Sequence, residues 1–155
     1  MNTDFCIHND KEIKGFFKQY RFLSNFSPAT VYFNAFRFPC VETAFVFAKL
    51  DAREVETFAD MRARIIHMKP GEVKKWGRSV KLRPDWKNVK YDIMAALVFD
   101  KFYRNADLRQ QLLETGDRYF EETNYWNDTI WGVNLKGEGE NRLGKILMKV
   151  REFWK

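Results

Sequence analysis

The residues of this 155-residue chain whose types and spacing suit chemistry are carboxylates set among aromatic, amide and basic side chains: Glu42, Glu121 or Glu122, and Asp128. The densest stretch runs over residues 121–151, EETNYWNDTIWGVNLKGEGENRLGKILMKVR, where Trp126 and Trp131 stand among Asn124, Asn127, Asn134 and Asn141. Indole faces are costly to leave in water, and amides are costly to bury without partners. The stretch therefore reads either as a pocket wall, stacking on a ligand and hydrogen-bonding to it, or as a long loop pinned by its own aromatic side chains. Cleavage of an N-glycosidic bond needs this set of groups. The leaving base requires a proton or hydrogen bonds, the ribose passes through an oxocarbenium-like state, and a carboxylate stabilises that state or aligns the water. Trp and Phe stack on the base, and Arg or Lys holds a phosphate. A non-catalytic nucleotide-binding module would use the same residues, and spacing does not choose between the two.

Other chemistries fit less well. The two His and two Cys are scattered, with no HExxH or CxxC spacing, so no metal site is expected beyond a Mg²⁺ accompanying a phosphate. No GxSxG or P-loop is present. Cys40 stands beside Glu42 without a partnering His and reads as an inert buried thiol, and His67 reads as structural. The formal charge of +6 favours an anionic partner: nucleic acid, a nucleotide or a sugar phosphate. The basic residues are dense only at Lys74-Lys75 and Arg78-Lys81-Arg83. Isolated cysteines suit a reducing compartment, MNTDFCIHND carries no basic leader followed by an apolar run, and no apolar window spans a bilayer. A cytoplasmic protein with one domain and one core is expected, the 17% aromatic content serving a site as well as the core.

Stepping along the chain, IKGFFKQ reads as a strand, and TVYFNAFRF as a hairpin turning near Asn34-Ala35. Between them Ser24-Asn25 and Ser27-Pro28 mark a turn, in which Asn25 either meets a ligand or caps its own turn. After Pro39 a helix is expected from about Val41 to Leu50, with Glu42, Phe45, Val46 and Lys49 on one face. Glu is rarely buried without a partner, so Glu42 is either a functional carboxylate or a boundary residue paired with a distant Arg. A second helix is expected over REVETFADMRARIIHM, with Val55, Phe58, Ala59, Ile65 and Ile66 in its apolar stripe and Pro70-Gly71 breaking it. Asp85 is placed to cap a long helix from Trp86 to Phe102 whose apolar face is core. LRQQLLET makes a short helix ended by Gly116, and RYFEE a short strand. The last helix starts near Asn141, a favoured N-cap; Arg142 in its first turn opposes the helix dipole, a conflict that an anion on exposed backbone N–H groups would remove.

The pieces RFLSNFSP, VETAFVFAKL, VKKWGRSVKLRPDW, MAALVFDKFYRN and NDTIWGVNLKGEGENRLGKILMKVR, in this order, resemble the NADAR (YbiA-like) family over roughly residues 16–153. The resemblance implies a compact, mainly helical α+β domain with a few short N-terminal strands. It also implies N-glycosidase activity, either on phosphoribosyl aminopyrimidine intermediates of riboflavin synthesis or on ADP-ribose attached to guanine in DNA or RNA. Carried over by motif, the helix Glu is Glu42, the carboxylate before Trp-Gly is Asp128, and the Trp is Trp131. The asparagine before the last helix is Asn141, the turn asparagine Asn25, and the basic pocket residues Lys49, Arg78, Arg83 and Lys90. Many members read S/T-E-H-Y-F-Q where this chain has Val41-Glu42-Thr43-Ala44-Phe45-Val46, and the 121–132 loop carries an extra Trp, Trp126.

The reading that follows is an N-glycoside hydrolase with Glu42 as the principal catalytic carboxylate and Asp128 assisting. Trp126 and Trp131 stack on substrate, and Lys49, Arg78, Arg83 and Arg142 read phosphate. Asn25, Phe45, Lys90, Glu122 and Asn141 complete the expected binding set. No cofactor and no metal are expected; the partner is an anionic ribosyl or ADP-ribosyl substrate, which includes ADP-ribosylated DNA or RNA, and no membrane. The competing readings are an ADP-ribose or nucleotide-binding module without catalysis, and a nucleic-acid-binding domain.

Overall fold

The computed structural model describes residues 3–53 and 57–155. Val55, expected on the stripe of the second helix, lies outside them. The fold is mainly helical α+β with short strands, and the chain forms two compact units, one of Asn25–Asn105 and one of Met1–Ser24 with Ala106–Lys155.

In the first of these, Val31–Phe33 (β3) and Phe36–Phe38 (β4) pair antiparallel, with Val31 opposite Phe38 and Phe33 opposite Phe36. The turn falls at Asn34-Ala35, as the sequence indicates, and both residues take positive φ, 47° and 63°. This is the backbone that matches the right-handed twist of a two-residue hairpin. Pro39 ends the strand, and Cys40, fully extended, leads into Val41–Ala48 (α1). All eight residues of α1 are buried. Phe47 is its aromatic hub, with ring centroids 4.9 Å from Phe38, 5.4 Å from Phe58, 5.7 Å from Phe36 and 6.4 Å from Phe33.

The second helix is shorter than its periodicity suggests. Phe58–Ile65 (α2) is capped by the Thr57 hydroxyl, which accepts from Asp60 N–H, and it buries only Ile65; Ala59 is exposed. The helix ends at Ile65, ahead of Pro70, and that proline instead starts Pro70–Trp76 (α3), occupying the first turn, where no N–H is needed. Trp86–Arg104 (α4) runs two residues past the expected end and buries Trp86, Met94, Leu97, Val98 and Phe102. Asp85 precedes it without capping it. Its carboxylate is held by Arg83 at 2.6 Å, which leaves no oxygen turned to the helix N–H groups.

In the other unit, Ile7–His8 (β1), Glu12–Lys14 (β2) and Tyr119–Glu121 (β5) form a three-stranded sheet in the order β1-β2-β5, with β2 and β5 parallel. The expected strand over IKGFFKQ ends at Lys14: Gly15 turns the chain with φ of 77°, and Lys18–Leu23 is a 3-10 helix. Ala106–Glu114 (α5) ends at Gly116, whose φ is 64°. Arg142–Trp154 (α6) packs Leu143, Leu147 and Val150 inward. The Arg151 guanidinium lies 4.3 Å over the Phe120 ring and donates to Thr115 Oγ1 at 2.9 Å. Among the described residues, no helix is long and apolar enough to cross a membrane.

Alanine at positive φ places its Cβ against the carbonyl, and glycine does not. Ala35→Gly should therefore stabilise the protein by about 0.5–1 kcal/mol after the entropy of a freer unfolded chain is counted. Urea unfolding of the two proteins checks this.

Candidate functional site

Two groups of expected site residues are defined by the structure, one in each unit. The first surrounds Glu42. It lies in the first turn of α1 and is only 7% exposed. Its N–H donates to the Asn25 carbonyl at 3.1 Å, and the Asn25 amide in turn reaches Met94 Sδ at 3.4 Å. Asn25 therefore neither caps its own turn nor stands open; it anchors the start of α1. Lys49 caps the far end of the same helix on the same face. Burial holds its ammonium below the ordinary lysine range; the Glu42 carboxylate opposes that depression, and the charges of Lys74 and Arg78 add to it. Glu42, Lys49, Lys74 and Arg78 thus share one electrostatic neighbourhood.

Three other expected members stand differently. Phe45 packs its ring on Trp86 at 4.9 Å and belongs to the core. Lys90 lies 4.8 Å over the Tyr91 ring on α4. Arg83 donates from Nη1 to the Ala48 carbonyl at 3.4 Å, and its N–H bonds the Lys49 carbonyl at 2.9 Å. With Asp85 it forms part of a cleft of about 460 Å³ that Phe33, Phe47 and Phe58 also line. A guanidinium on the last carbonyls of a helix is a C-terminal cap, so Arg83 serves the end of α1.

The second group is the loop from Glu122 to Asn141. Asn124, with none of its surface exposed, organises it. Its amide donates to the carbonyls of Asp128 at 2.9 Å and Val133 at 3.2 Å, and its Oδ1 accepts from Asp128 N–H at 2.9 Å. Asp128 Oδ1 accepts from the N–H groups of Ile130 at 3.1 Å and Trp131 at 2.9 Å, fixing the backbone of that indole. The Glu122 N–H and carbonyl are both bound inside the loop, to Asn141 Oδ1 and Val133 N–H. Trp126 is 44% exposed and meets Tyr125 edge-on at 5.0 Å, while Trp131 is half-buried.

Asn141 corrects the expectation at α6. It sits in left-handed backbone at φ 50° and its side chain caps nothing. Both amide hydrogens instead go back to β5, to the Tyr119 hydroxyl at 3.0 Å and the Phe120 carbonyl at 2.8 Å. The helix N–H groups expected to be open are engaged as well: Arg142 N–H donates to the Ile130 carbonyl and Leu143 N–H to that of Trp131. Glu140 holds the Arg142 guanidinium at 2.5 Å. The loop itself, and not an anion, resolves the dipole conflict. The glycines here serve close approach. A Cβ on Gly132 would strike the Glu122 carbonyl, and one on Gly144 the Phe120 carbonyl and the Asn141 amide.

Residues 5–154, which include this loop and the Glu42 helix, match the NADAR domain. The chain belongs to the NADAR family. Among its NADAR relatives, the N-glycosidase YbiA of Shigella flexneri is 33% identical over 131 residues, 83% of this chain and 78% of that protein. A riboflavin biosynthesis protein of Vibrio vulnificus is 33% identical over 134 residues, and an N-glycosidase of Nostoc punctiforme 48% over 71. These alignments cover 84% and 46% of this chain but only 35% and 45% of the two relatives, so the chain spans less than half their length. The NMR structure of YbiA from Escherichia coli shares the fold with a TM-score of 0.77 at 29% identity, covering 98% of this chain and 89% of that one.

Within this NADAR chain, Lys74 joins the Lys49 neighbourhood although the sequence marks it only as part of a basic pair. The signal is its place in the dense basic stretch that runs on to Arg78, just past the end of α3. Asn124 was noticed only as one amide among several; its role needs contacts across the loop. Asn124→Ala would remove the side-chain bonds to the Asp128 N–H and carbonyl, while the Val133 carbonyl keeps the backbone N–H of residue 124. It should lower unfolding stability by about 2–3 kcal/mol, read by chemical denaturation.

Proposed function

We propose that this chain is an N-glycosidase, hydrolysing the bond between a ribose and a base or base-like amine. The observation that carries the reading is Glu42: a carboxylate almost wholly buried on an apolar helix, in the electrostatic reach of Lys49, with Lys74 and Arg78 beside that lysine. The names of the N-glycosidase relatives support it.

In the reaction the C1′–N bond breaks and its electron pair leaves on the base nitrogen, which takes up a proton. Water adds to C1′, its hydroxyl staying on the sugar and its proton balancing the one given to the base. A carboxylate in low dielectric interacts with the cationic ribosyl centre far more strongly than it would in water, and this is the part assigned to Glu42. The cations take the anionic part of the substrate, a phosphate or diphosphate on the ribose. The candidate substrates are ADP-ribose linked to guanine in nucleic acid and the phosphoribosyl aminopyrimidines of riboflavin synthesis, the second in keeping with the name of the Vibrio relative.

The test offers an ADP-ribosyl-guanine oligonucleotide and the aminopyrimidine ribose phosphate, with release of base and sugar followed by mass spectrometry. Glu42→Gln should lower turnover by about 100-fold or more with binding retained; near-wild-type turnover of every accepted substrate would refute the assignment. Binding of ADP-ribose with no release of base from any substrate would make the chain a binding module instead.

The assisting role expected of Asp128 is separable from its place in the loop. Asp128→Asn keeps an Oδ1 that accepts from Ile130 and Trp131, so its melting temperature should stay near wild type. A loss of turnover of about tenfold or more in that variant would measure the carboxylate's charge; unchanged turnover would leave Asp128 as a loop-ordering residue alone.

A further inference from the structure

Gly77 closes α3 with φ of −62° and ψ of −10°, ordinary helical backbone that any residue adopts. Its lack of a side chain is therefore a matter of space. A Cβ built there would lie 2.8 Å and 3.0 Å from the two methyls of Val46, and 3.1 Å from Cε of Lys49. Cε is the carbon that carries the ammonium, so the bare backbone of Gly77 is the wall against which the charged end of Lys49 rests. Val46 and Lys49 share the α1 face that carries Glu42, and the seating of α3 on that face is as close as it is because position 77 has no side chain.

Lys74 lies one turn earlier on α3 and is half-buried. Its Nζ stands 5.5 Å from the centroid of the Phe26 ring, within the range of a cation–π contact. Phe26 follows Asn25, whose carbonyl holds the Glu42 N–H. The same corner of chain thus anchors both the start of α1 and the lysine of α3. The charges that bear on Lys49 are Glu42 from its own helix, and Lys74 and Arg78 from α3 and the residues just after it.

Resting on the glycosidase reading for its place in catalysis, we infer that Gly77 is a positioning residue for Lys49, and that Lys74, steadied on Phe26, is a further cation of the Glu42 site that binds the anionic group of the ligand. The α1–α3 contact sets where the Lys49 ammonium stands relative to the Glu42 carboxylate, and Lys74 supplies charge that Lys49 and Arg78 alone would not.

Two measurements that need no turnover test this. The first follows titration of Lys49 through the NMR signal of its Cε methylene, in wild type, Gly77→Ala and the double variant Val46→Ala/Gly77→Ala. The double variant removes the methyls that a new Cβ would strike and leaves only its contact with Lys49. Displacing the ammonium toward water relieves its burial, so Lys49 should titrate at higher pH in both variants. An unchanged titration in both would overturn the role of Gly77.

The second measures binding of ribose 5-phosphate and of ribose by calorimetry. Lys74→Gln should weaken ribose 5-phosphate about fivefold or more, the scale of one charge-assisted contact, without changing ribose. Lys74→Arg should restore it to within about twofold. Failure of the wild type to bind ribose 5-phosphate, or equal binding by Lys74→Gln, would overturn the role of Lys74. In turnover, Gly77→Ala should lower kcat, and Lys74→Gln should raise KM with kcat kept. An absence of turnover in wild type would count against the glycosidase reading alone, because the titration and the binding would still decide the two assignments.

Discussion

A carboxylate on a helix with every residue buried imposes a demand that the surrounding elements have to meet. Leaving Glu42 in that position without compensation would cost several kcal/mol. Two features oppose that cost: placement in the first turn, where the helix dipole favours an anion, and the Lys49 ammonium at the end of α1, with which the Glu42 carboxylate interacts. α1 therefore faces two ways. Phe47 turns into a cluster of phenylalanines that holds the hairpin and α2, while Glu42 and Lys49 turn to a polar, positively charged neighbourhood. Arg83 closes the helix at its last carbonyl. A helix with such divided faces cannot rotate or slide without exposing phenylalanine or stranding charge, and that rigidity suits a group that must hold one position.

The loop of residues 122–141 solves a different problem with different means. It has many polar groups to satisfy, and its order comes from side-chain amides bonded to backbone. Asn124 ties together the carbonyls of Asp128 and Val133, Asp128 sets the turn into Trp131, and Asn141 fastens the loop to β5. Gly132 and Gly144 let backbone approach backbone where any Cβ would intrude. Much of what looks like ligand-binding composition in this stretch is thus architecture. Trp126 and Tyr125, like Ile130 and Leu135, stay in solvent, and an aromatic surface left there by so well ordered a loop is available to something outside the chain.

Local chemistry was readable from the residues in order. The Asn34-Ala35 turn, the long α4 with its apolar face, the glycine end of α5, the short strand before the loop and the helical repeat of α6 all depend on neighbours a few positions apart. So did the suspicion attached to Glu42, because a Glu within an apolar helical pattern is anomalous whatever the fold. The family pattern, too, is a property of the sequence, and it carried the mainly helical α+β fold with it. Where reading by position went astray, a side-chain contact of the folded chain had intervened, near in sequence or far. Asp85 has the type and place of a cap, but Arg83 holds its carboxylate. Asn141 has the type and place of an N-cap, but its amide is drawn to Tyr119 and Phe120, about twenty residues away.

By itself, then, the sequence determined the family, the order and kind of most elements, and which carboxylate and aromatic residues are candidates for a site, since propensity, periodicity and motif are carried by residues near one another along the chain. Only the tertiary structure decided which of those residues do structural duty and which stand together. It tied Asn141 to β5 and Arg83 to the last carbonyls of α1, engaged the N–H groups of α6, brought Lys74 into the neighbourhood of Lys49, and set Gly77 against the Lys49 side chain. The reason is physical: a hydrogen bond, a cation's field and the space for one methyl group act over a few ångströms of distance, however far apart the residues are in sequence.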